Sequence, residues 1–223
     1  MDRHSGSLSA LQFLLTLALA WLAGAWRFLR QRPKLIVNVM PGPTFSTIIP
    51  VEDTYLGNPA HRNVICLYLT ILNRGSAGGA IDKIKVSFRR APTSSKDFFN
   101  SRWVSIAETV ALDDFRVDIG ERTKIFPFLR QASRLTESNR SGYLRVGAAL
   151  KGTAYFEEEN LSYGSHRPVT KGGHTRVKLT LTDTFGCVSH HLLTIPELPI
   201  EAARKYGMHI GETFASLRPK QPT

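Results

Sequence analysis

The hydrophobic residues of this 223-residue chain form one unbroken apolar run near the N-terminus and a series of short alternating segments after it. The apolar run covers residues 8–26 and contains no formal charge. A helix of that length spans roughly 28 Å, about the thickness of the hydrocarbon core of a bilayer. The run therefore predicts a single transmembrane helix behind a short tail of residues 1–7. Its proposed anchoring side chains are Leu8, Leu11, Phe13, Leu14, Leu15, Leu17, Leu19, Trp21, Leu22 and Trp26.

The residues that flank this run predict its orientation. Residues 27–34 form a basic juxtamembrane linker, which supplies four candidate membrane-surface cations: Arg27, Arg30, Arg32 and Lys34. Positive charge is retained on the cytoplasmic side, so the pattern favours an inner-membrane, single-pass protein whose domain is cytoplasmic rather than periplasmic. Two alternatives stay open. Ala23-Gly24-Ala25 is similar to a signal-peptide cleavage site, which would imply export, and the run could instead be the buried core helix of a soluble domain.

The alternating segments predict β-strands. Residues 63–72 are apolar on both faces and predict a central strand, whereas residues 80–90 and 174–182 alternate between apolar and basic positions and predict half-buried strands. Residues 183–186 predict a tight turn into a last strand over residues 187–195. A hairpin through residues 73–79 would pair the first two of these strands, although that connection is also long enough for an excursion.

About eight such strands, with glycine or proline in most connections, predict a mainly β fold: a two-sheet antiparallel β-sandwich over residues 35–198, with a small barrel as the rival. Residues 199–223 predict a short helix, over residues 200–206, and a basic tail. The predicted core consists of Val64, Cys66, Leu69, Ile71, Ile84, Val86, Phe88, Leu144, Val146, Tyr155, Val177, Leu179, Leu181, Val188 and Leu192.

This arrangement resembles immunoglobulin-like and fibronectin-like domains in its strand count and in the TLTDTFG turn before the final strand. It does not have the Cys…Trp…Cys spacing of antibody domains. The chain is also similar in architecture to bacterial proteins that join a short anchor to a cytoplasmic sandwich. The resemblance implies a fold and carries no site residues with it.

Charge narrows the classes of partner. The net charge is +11 and the pI about 10. The cations are interleaved with acids, and the sequence has no nucleic-acid-binding signature, so it favours an anionic membrane surface or a protein partner over nucleic acid. The two cysteines, Cys66 and Cys187, are expected to be free thiols in a reducing compartment, whereas in an exported domain they could form one disulfide.

Few residues are candidates for a catalytic or binding site. Asp113–Asp114 and residues 157–159 are expected to be solvated acidic turns, and Asp183 with Ser189 and His190 or His191 is a weak candidate for catalysis. The sequence predicts no metal, no cofactor and no small-molecule substrate. Aromatic residues in a polar connection can form a binding patch, and the candidates here are Phe98, Phe99 and Trp103.

These patterns favour a membrane-tethered, non-enzymatic interaction module that binds a protein partner or the anionic membrane surface. One alternative is an exported, adhesin-like envelope domain with a Cys66–Cys187 disulfide. A small hydrolase on a β-scaffold is the third hypothesis.

Overall fold

The computed structural model describes residues 5–25, 31–55, 58–91, 102–111, 114–130, 142–158, 162–163 and 166–211. Strands dominate these residues. In chain order they are β1 (Leu35–Val39), β2 (Phe45–Tyr55), β3 (Asn58–Asn73), β4 (Gly79–Arg89), β5 (Trp103–Ala107), β6 (Phe115–Ile119), β7 (Arg122–Phe126), β8 (Tyr143–Leu144), β9 (Ala149–Glu157), β10 (Ser162–Tyr163), β11 (Thr170–Lys171), β12 (His174–Asp183) and β13 (Val188–Pro196). The helices are α1 (Ser5–Ala20) and α2 (Ile200–Ala203).

The N-terminal apolar run folds as α1 and a π-helical turn, Trp21–Ala25. The regular α-helix ends at Ala20, and the backbone of Gly24 is extended (φ 166°), which interrupts the helix near its end. Among the described residues, no helix combines the length and the hydropathy that a membrane span requires. A continuous transmembrane helix over residues 8–26 is therefore not supported. The large apolar side chains from Leu11 to Leu22 are nevertheless about half exposed or more.

The first sheet is built around β3, which is hydrogen-bonded to all four of its other strands. β1 and β2 pair with successive parts of β3, Leu69–Asn73 and Asn58–Cys66. β9 pairs with residues 64–72 of β3, and β10 pairs with residues 60–61. The prediction that residues 63–72 form a central strand is confirmed.

The second sheet has the order β13–β12–β4–β5, extended by β8 beside β4 and β11 beside β12. β12 and β13 form the expected hairpin, and its turn is closed by Asp183, whose Oδ1 accepts the N–H groups of Phe185 and Cys187 at 2.9 Å. Gly186 takes the left-handed conformation in this turn (φ 76°), as its sequence position predicts.

The two sheets face each other across a core in which Leu67, Leu69 and Ile71 of β3 meet Val86, Phe88 and Leu179 of the opposite sheet. β3 also buries its other face. Val64, Cys66 and Tyr68 pack there against the β6–β7 hairpin and the C-terminal segment in a second core that contains Phe45, Phe115, Phe126, Tyr155 and Ile210. The fold is thus a sandwich of antiparallel sheets with an added layer on its first sheet, and the added layer explains why β3 is apolar on both faces.

Several details of the sequence prediction are wrong. β3 and β4 lie in different sheets, so residues 73–79 cross between sheets and do not form a hairpin turn. Val146, Val188 and Leu192 are more than half exposed and do not belong to the core. The C-terminal helix is the single turn α2, followed by further turns as far as Gly211, and residues 212–223 lie outside the described part of the chain.

Candidate interaction surface

The outer face of the second sheet carries an array of positive charge. Side chains alternate between the two faces of β4 and β12, as the sequence predicts. Ile84, Val86 and Leu179 point into the core, and the residues between them point outward. Because β4 and β12 pair directly, with Lys85 opposite Thr180 and Ser87 opposite Lys178, these outward residues form one surface. We call this surface the basic face, and its members are Lys83, Lys85, Arg89, Trp103, Arg176 and Lys178.

The charge of the basic face is predominantly positive. Asp82 is the one exposed acid of the described strands β4, β5, β12 and β13, and the remaining outward side chains are mostly hydroxyl, apolar or imidazole groups. Neighbouring polar side chains are hydrogen-bonded to each other, as in Ser87–Ser105 at 2.7 Å and Thr180–His190 at 3.1 Å. Asp82 lies 3.9 Å from Lys83 and offsets part of the positive charge at that end of the face.

Trp103 contacts two of these cations. It begins the edge strand β5 opposite Arg89, and its ring has the Lys178 ammonium 4.9 Å and the Arg89 guanidinium 5.7 Å from its centroid. Cation–π contacts at these distances hold two flexible cations in fixed positions. Trp103 is half buried, so it serves both as a platform for the cations and as a contact surface. The other two members of the predicted patch, Phe98 and Phe99, lie outside the described residues.

An open groove adjoins the basic face. It has a volume of about 320 Å³ and is lined by Asp82, Lys83, Ile84, Lys85, Ala107, Glu108 and Arg130. Glu108 and Arg130 form an ion pair at 3.6 Å along its wall. Burial raises the pKa of the Glu108 carboxyl, and the positive charge of Arg130 partly offsets that shift. The groove therefore presents Lys83 and Lys85 together with Asp82, while its other acid, Glu108, is engaged with an arginine.

The first sheet contains a buried polar network that the sequence patterns do not predict. Glu157, expected in a solvated turn, is the last residue of β9 and its side chain is fully buried. It pairs with Arg62 of β3 at 2.7 Å and accepts the Tyr155 hydroxyl at 2.6 Å. Burial raises the pKa of Glu157, and both partners oppose this. A signal was present in the sequence, since Tyr155 and Glu157 are two residues apart on one strand and must share a face.

This network fastens the C-terminal segment to the sandwich. Arg62 donates to the carbonyl oxygen of Gly211, and the Gly211 N–H donates to the Tyr155 hydroxyl at 3.2 Å. Burial, and then the negative charge of Glu157, raise the pKa of Tyr155 well above its ordinary value, which keeps it a neutral donor. The network is enclosed, so we interpret it as a structural clasp and not as a site for a ligand.

Glu158 and Asp114 also depart from the solvated turns that the sequence predicts. The Glu158 carboxylate accepts the side-chain amide of Asn63 at 2.7 Å, and Asp114, just before β6, is buried. Glu159 and Asp113 lie outside the described residues. The two described acids are therefore part of the folded domain and not of solvated turns.

The weak catalytic candidate is not assembled. The Asp183 carboxylate is bound to backbone N–H groups of its own turn, and the His190 ring is bonded to Thr180. His191 turns to the opposite face of β13, as strand alternation predicts, and burial lowers its pKa. Within the described part of the chain, no three His, Cys, Asp or Glu side chains are grouped so that they could hold a metal ion.

The two cysteines are free. Cys66 is buried in the second core, on the face of β3 that points away from the other sheet, and burial raises the pKa of its thiol. Cys187 lies in the β12–β13 turn, where its sulfur accepts a hydrogen bond from Arg32 at 3.6 Å. The Cys66–Cys187 disulfide suggested for an exported domain is therefore not formed in this fold.

Comparison with known protein families and with curated proteins finds no match to this chain.

Proposed function

We propose that the protein is a membrane-tethered, non-enzymatic β-sandwich module that binds an acidic segment of a partner protein through its basic face. The observation that carries the proposal is the predominantly positive outer face of the second sheet, with Trp103 holding Arg89 and Lys178 in place. Positioned cations around a rigid aromatic ring favour an extended acidic peptide, because carboxylates pair with the cations while the ring buries apolar surface.

A relationship to immunoglobulin-like domains would suit this use, since such sandwiches bind through faces and edges. That relationship rests on the strand count and on the turn at residues 183–186. The groove beside Lys83 and Lys85 would extend the binding surface toward β5.

The tether is the N-terminal apolar segment. Its exposed leucines, Phe13 and Trp21 leave a large apolar surface in contact with water, which is unfavourable unless a lipid phase covers it. The basic residues that follow it favour a cytoplasmic domain on the inner face of the cell membrane. We therefore assign Leu8 to Trp26 as the membrane-inserted part, followed by the cations from Arg27 to Lys34 at the surface.

The tether can be tested by fractionating cells that express the full chain. The double variant Leu14→Glu/Leu17→Glu is expected to move most of the protein from the membrane pellet to the supernatant, because a charge in the hydrocarbon core costs roughly 3 kcal/mol per residue. Leu192→Glu, which places one such charge on a similarly exposed leucine of the sandwich, should leave the protein in the pellet. In addition, a reporter active only in the cytoplasm and fused after Thr223 should be active. Retention of the double variant in the pellet would contradict the tether. Activity only of a periplasmic reporter would contradict its orientation.

Binding through the basic face can be measured with labelled poly-L-glutamate and the full chain in phosphatidylcholine vesicles. Lys85→Glu/Lys178→Glu is expected to weaken binding by roughly tenfold or more, since like charges replace attraction with repulsion. The control Arg204→Glu/Lys205→Glu makes the same change in net charge beyond α2, away from the basic face, and should change affinity far less. Equal losses in the two variants would mean that only net charge matters and would overturn the assignment of the face.

A further inference from the structure

We infer that the end of the sandwich next to the tether is a second, lipid-contacting surface that rests on the anionic membrane and orients the domain. This inference builds on the proposed tether and adds a surface that the tether alone does not require. The surface consists of residues 31–34, 74–78, 142–148 and 184–188, and we call it the proximal end.

Backbone and side-chain hydrogen bonds hold the proximal end together. The N–H groups of Ser76 and Arg74 donate to the carbonyl oxygens of Arg32 and Lys34 at 3.1 and 2.8 Å. Asn73 lies at the centre, fully buried. Its Oδ1 accepts the Lys34 N–H, and its Nδ2 donates to the carbonyl oxygens of Ala77 and Leu144. Residues 31–34, the described part of the linker, are therefore fixed to this end of the sandwich.

The tether keeps the proximal end near the membrane. Seven Cα–Cα steps separate Ala25, the last residue of the π-helical turn, from Arg32, and seven steps reach at most ~25 Å. Whatever path residues 26–30 take, the docked linker stays within that distance of the helix that we assign to the membrane. The opposite end of the sandwich is not held in this way.

The composition of the proximal end matches an anionic lipid surface. Phe185, Tyr143 and Val146 are each more than half exposed, although the domain has a large core in which such side chains could be buried. Around them lie Arg32, Lys34, Arg74 and Arg145, all exposed, and none of the residues in the four described segments is acidic. Exposed aromatic residues with a collar of cations are the features that place a protein at the headgroup level of anionic membranes.

This orientation leaves the part of the basic face around Trp103 free. Lys178 lies six residues before the turn at Thr184, a rise of ~20 Å along β12. Electrostatic attraction to the membrane is screened over ~8 Å at physiological salt. With the proximal end on the lipid, Arg89 and Lys178 around Trp103 therefore lie at the side of the domain, beyond the screening distance from the membrane surface. A partner protein can reach them there.

The test uses a single tryptophan reporter in the full chain, in a background with Trp21→Phe, Trp26→Phe and Trp103→Phe, bound to vesicles that contain brominated phosphatidylcholine. With roughly one third phosphatidylserine present, Phe185→Trp should lose roughly half or more of its emission by quenching at headgroup depth. The control reporter Leu192→Trp, at a similarly exposed residue that lies opposite Lys178 of the basic face, should be quenched far less. Adding Arg74→Glu/Arg145→Glu should reverse the quenching at position 185, and circular dichroism would confirm that these variants remain folded.

Flotation of the same vesicles separates the possible failures. If the protein floats with the vesicles while the reporter at position 185 is not quenched, the tether stands and the lipid-contacting end is wrong. Quenching at position 192 in place of position 185 would show that the basic face lies on the membrane, which also overturns the inference. Equal quenching at position 185 with and without phosphatidylserine would show that the cations have no role in the contact. If the protein does not float, the proposed tether itself fails.

Discussion

Replacing Arg62 with methionine is expected to lower the free energy of unfolding by about 3 kcal/mol at pH 7, because the buried Glu157 carboxylate loses its cation. The Arg62 side chain is only 12% exposed and Glu157 is fully buried, so water cannot replace the lost partner. Methionine keeps most of the aliphatic stem, which limits the loss of packing. Chemical denaturation of the full chain in detergent, followed by tryptophan fluorescence or circular dichroism, measures the change.

The cost of Arg62→Met should depend on pH in a defined direction. Burial already raises the folded-state pKa of Glu157, and Arg62 opposes that shift, so the variant raises this pKa further. A carboxyl whose pKa is higher in the folded state than in the unfolded state stabilises the folded protein at pH values below its unfolded-state pKa. This stabilisation is lost as the pH rises through the folded-state pKa. The destabilisation should therefore be largest near pH 8 and shrink as the pH falls toward 5.

Two comparisons make this prediction specific. Arg130→Met removes the cation of the partly exposed Arg130–Glu108 pair and should cost about 1 kcal/mol or less. The double variant Arg62→Met/Glu157→Leu removes both buried charges and should recover much of the stability, because neither is then left unpaired. A cost for Arg62→Met no larger than that for Arg130→Met, or independent of pH, would contradict the clasp.

Gly152→Ala should strongly destabilise the domain, with an expected loss of about 3 kcal/mol or more. Gly152 lies within β9 opposite Leu69, where the chain at residues 127–129 crosses close above the sheet. A Cβ atom there would lie 2.6 Å from the backbone N and Cα of Leu129, and backbone cannot rotate away as a side chain can. Thermal denaturation would measure the loss.

Gly142→Ala is the matched control for this prediction. The nearest atom to a Cβ at Gly142 is the Ile81 carbonyl oxygen at 3.4 Å, an ordinary contact, so the change should cost far less. Comparable losses at the two glycines would show that the close crossing over β9 is not what requires Gly152.

Local sequence patterns identified the strands better than they identified the neighbours of each strand. The alternation of Lys83, Lys85 and Arg89 with apolar residues correctly assigned the two faces of β4, and the same holds for β12. β4 and β12 are adjacent and therefore form a single basic face. Their pairing joins segments some ninety residues apart, and alternation within a strand does not encode it.

The errors have similar causes. The apolar run of β3 correctly indicated burial on both faces, but whether each face meets a sheet or an added layer depends on the β6–β7 hairpin, far along the chain. Glu157 was assigned to a solvated turn because it begins a run of three acids, and its partner Arg62 lies in the polar stretch just before residues 63–72, which does not predict a strand. The apolar segment was correctly identified as helical, whereas the end of its regular helix at Ala20 follows from backbone geometry near Gly24.

β3 forms a wall of both cores, one through Leu67 and Leu69 and the other through Cys66 and Tyr68. Withdrawing this strand would open both cores at once and release the four strands bonded to it. The added layer therefore cannot serve as an independent subdomain that folds or melts by itself. The sandwich and its layer should unfold in one cooperative step, with the backbone amides of β3 protected until the whole domain opens.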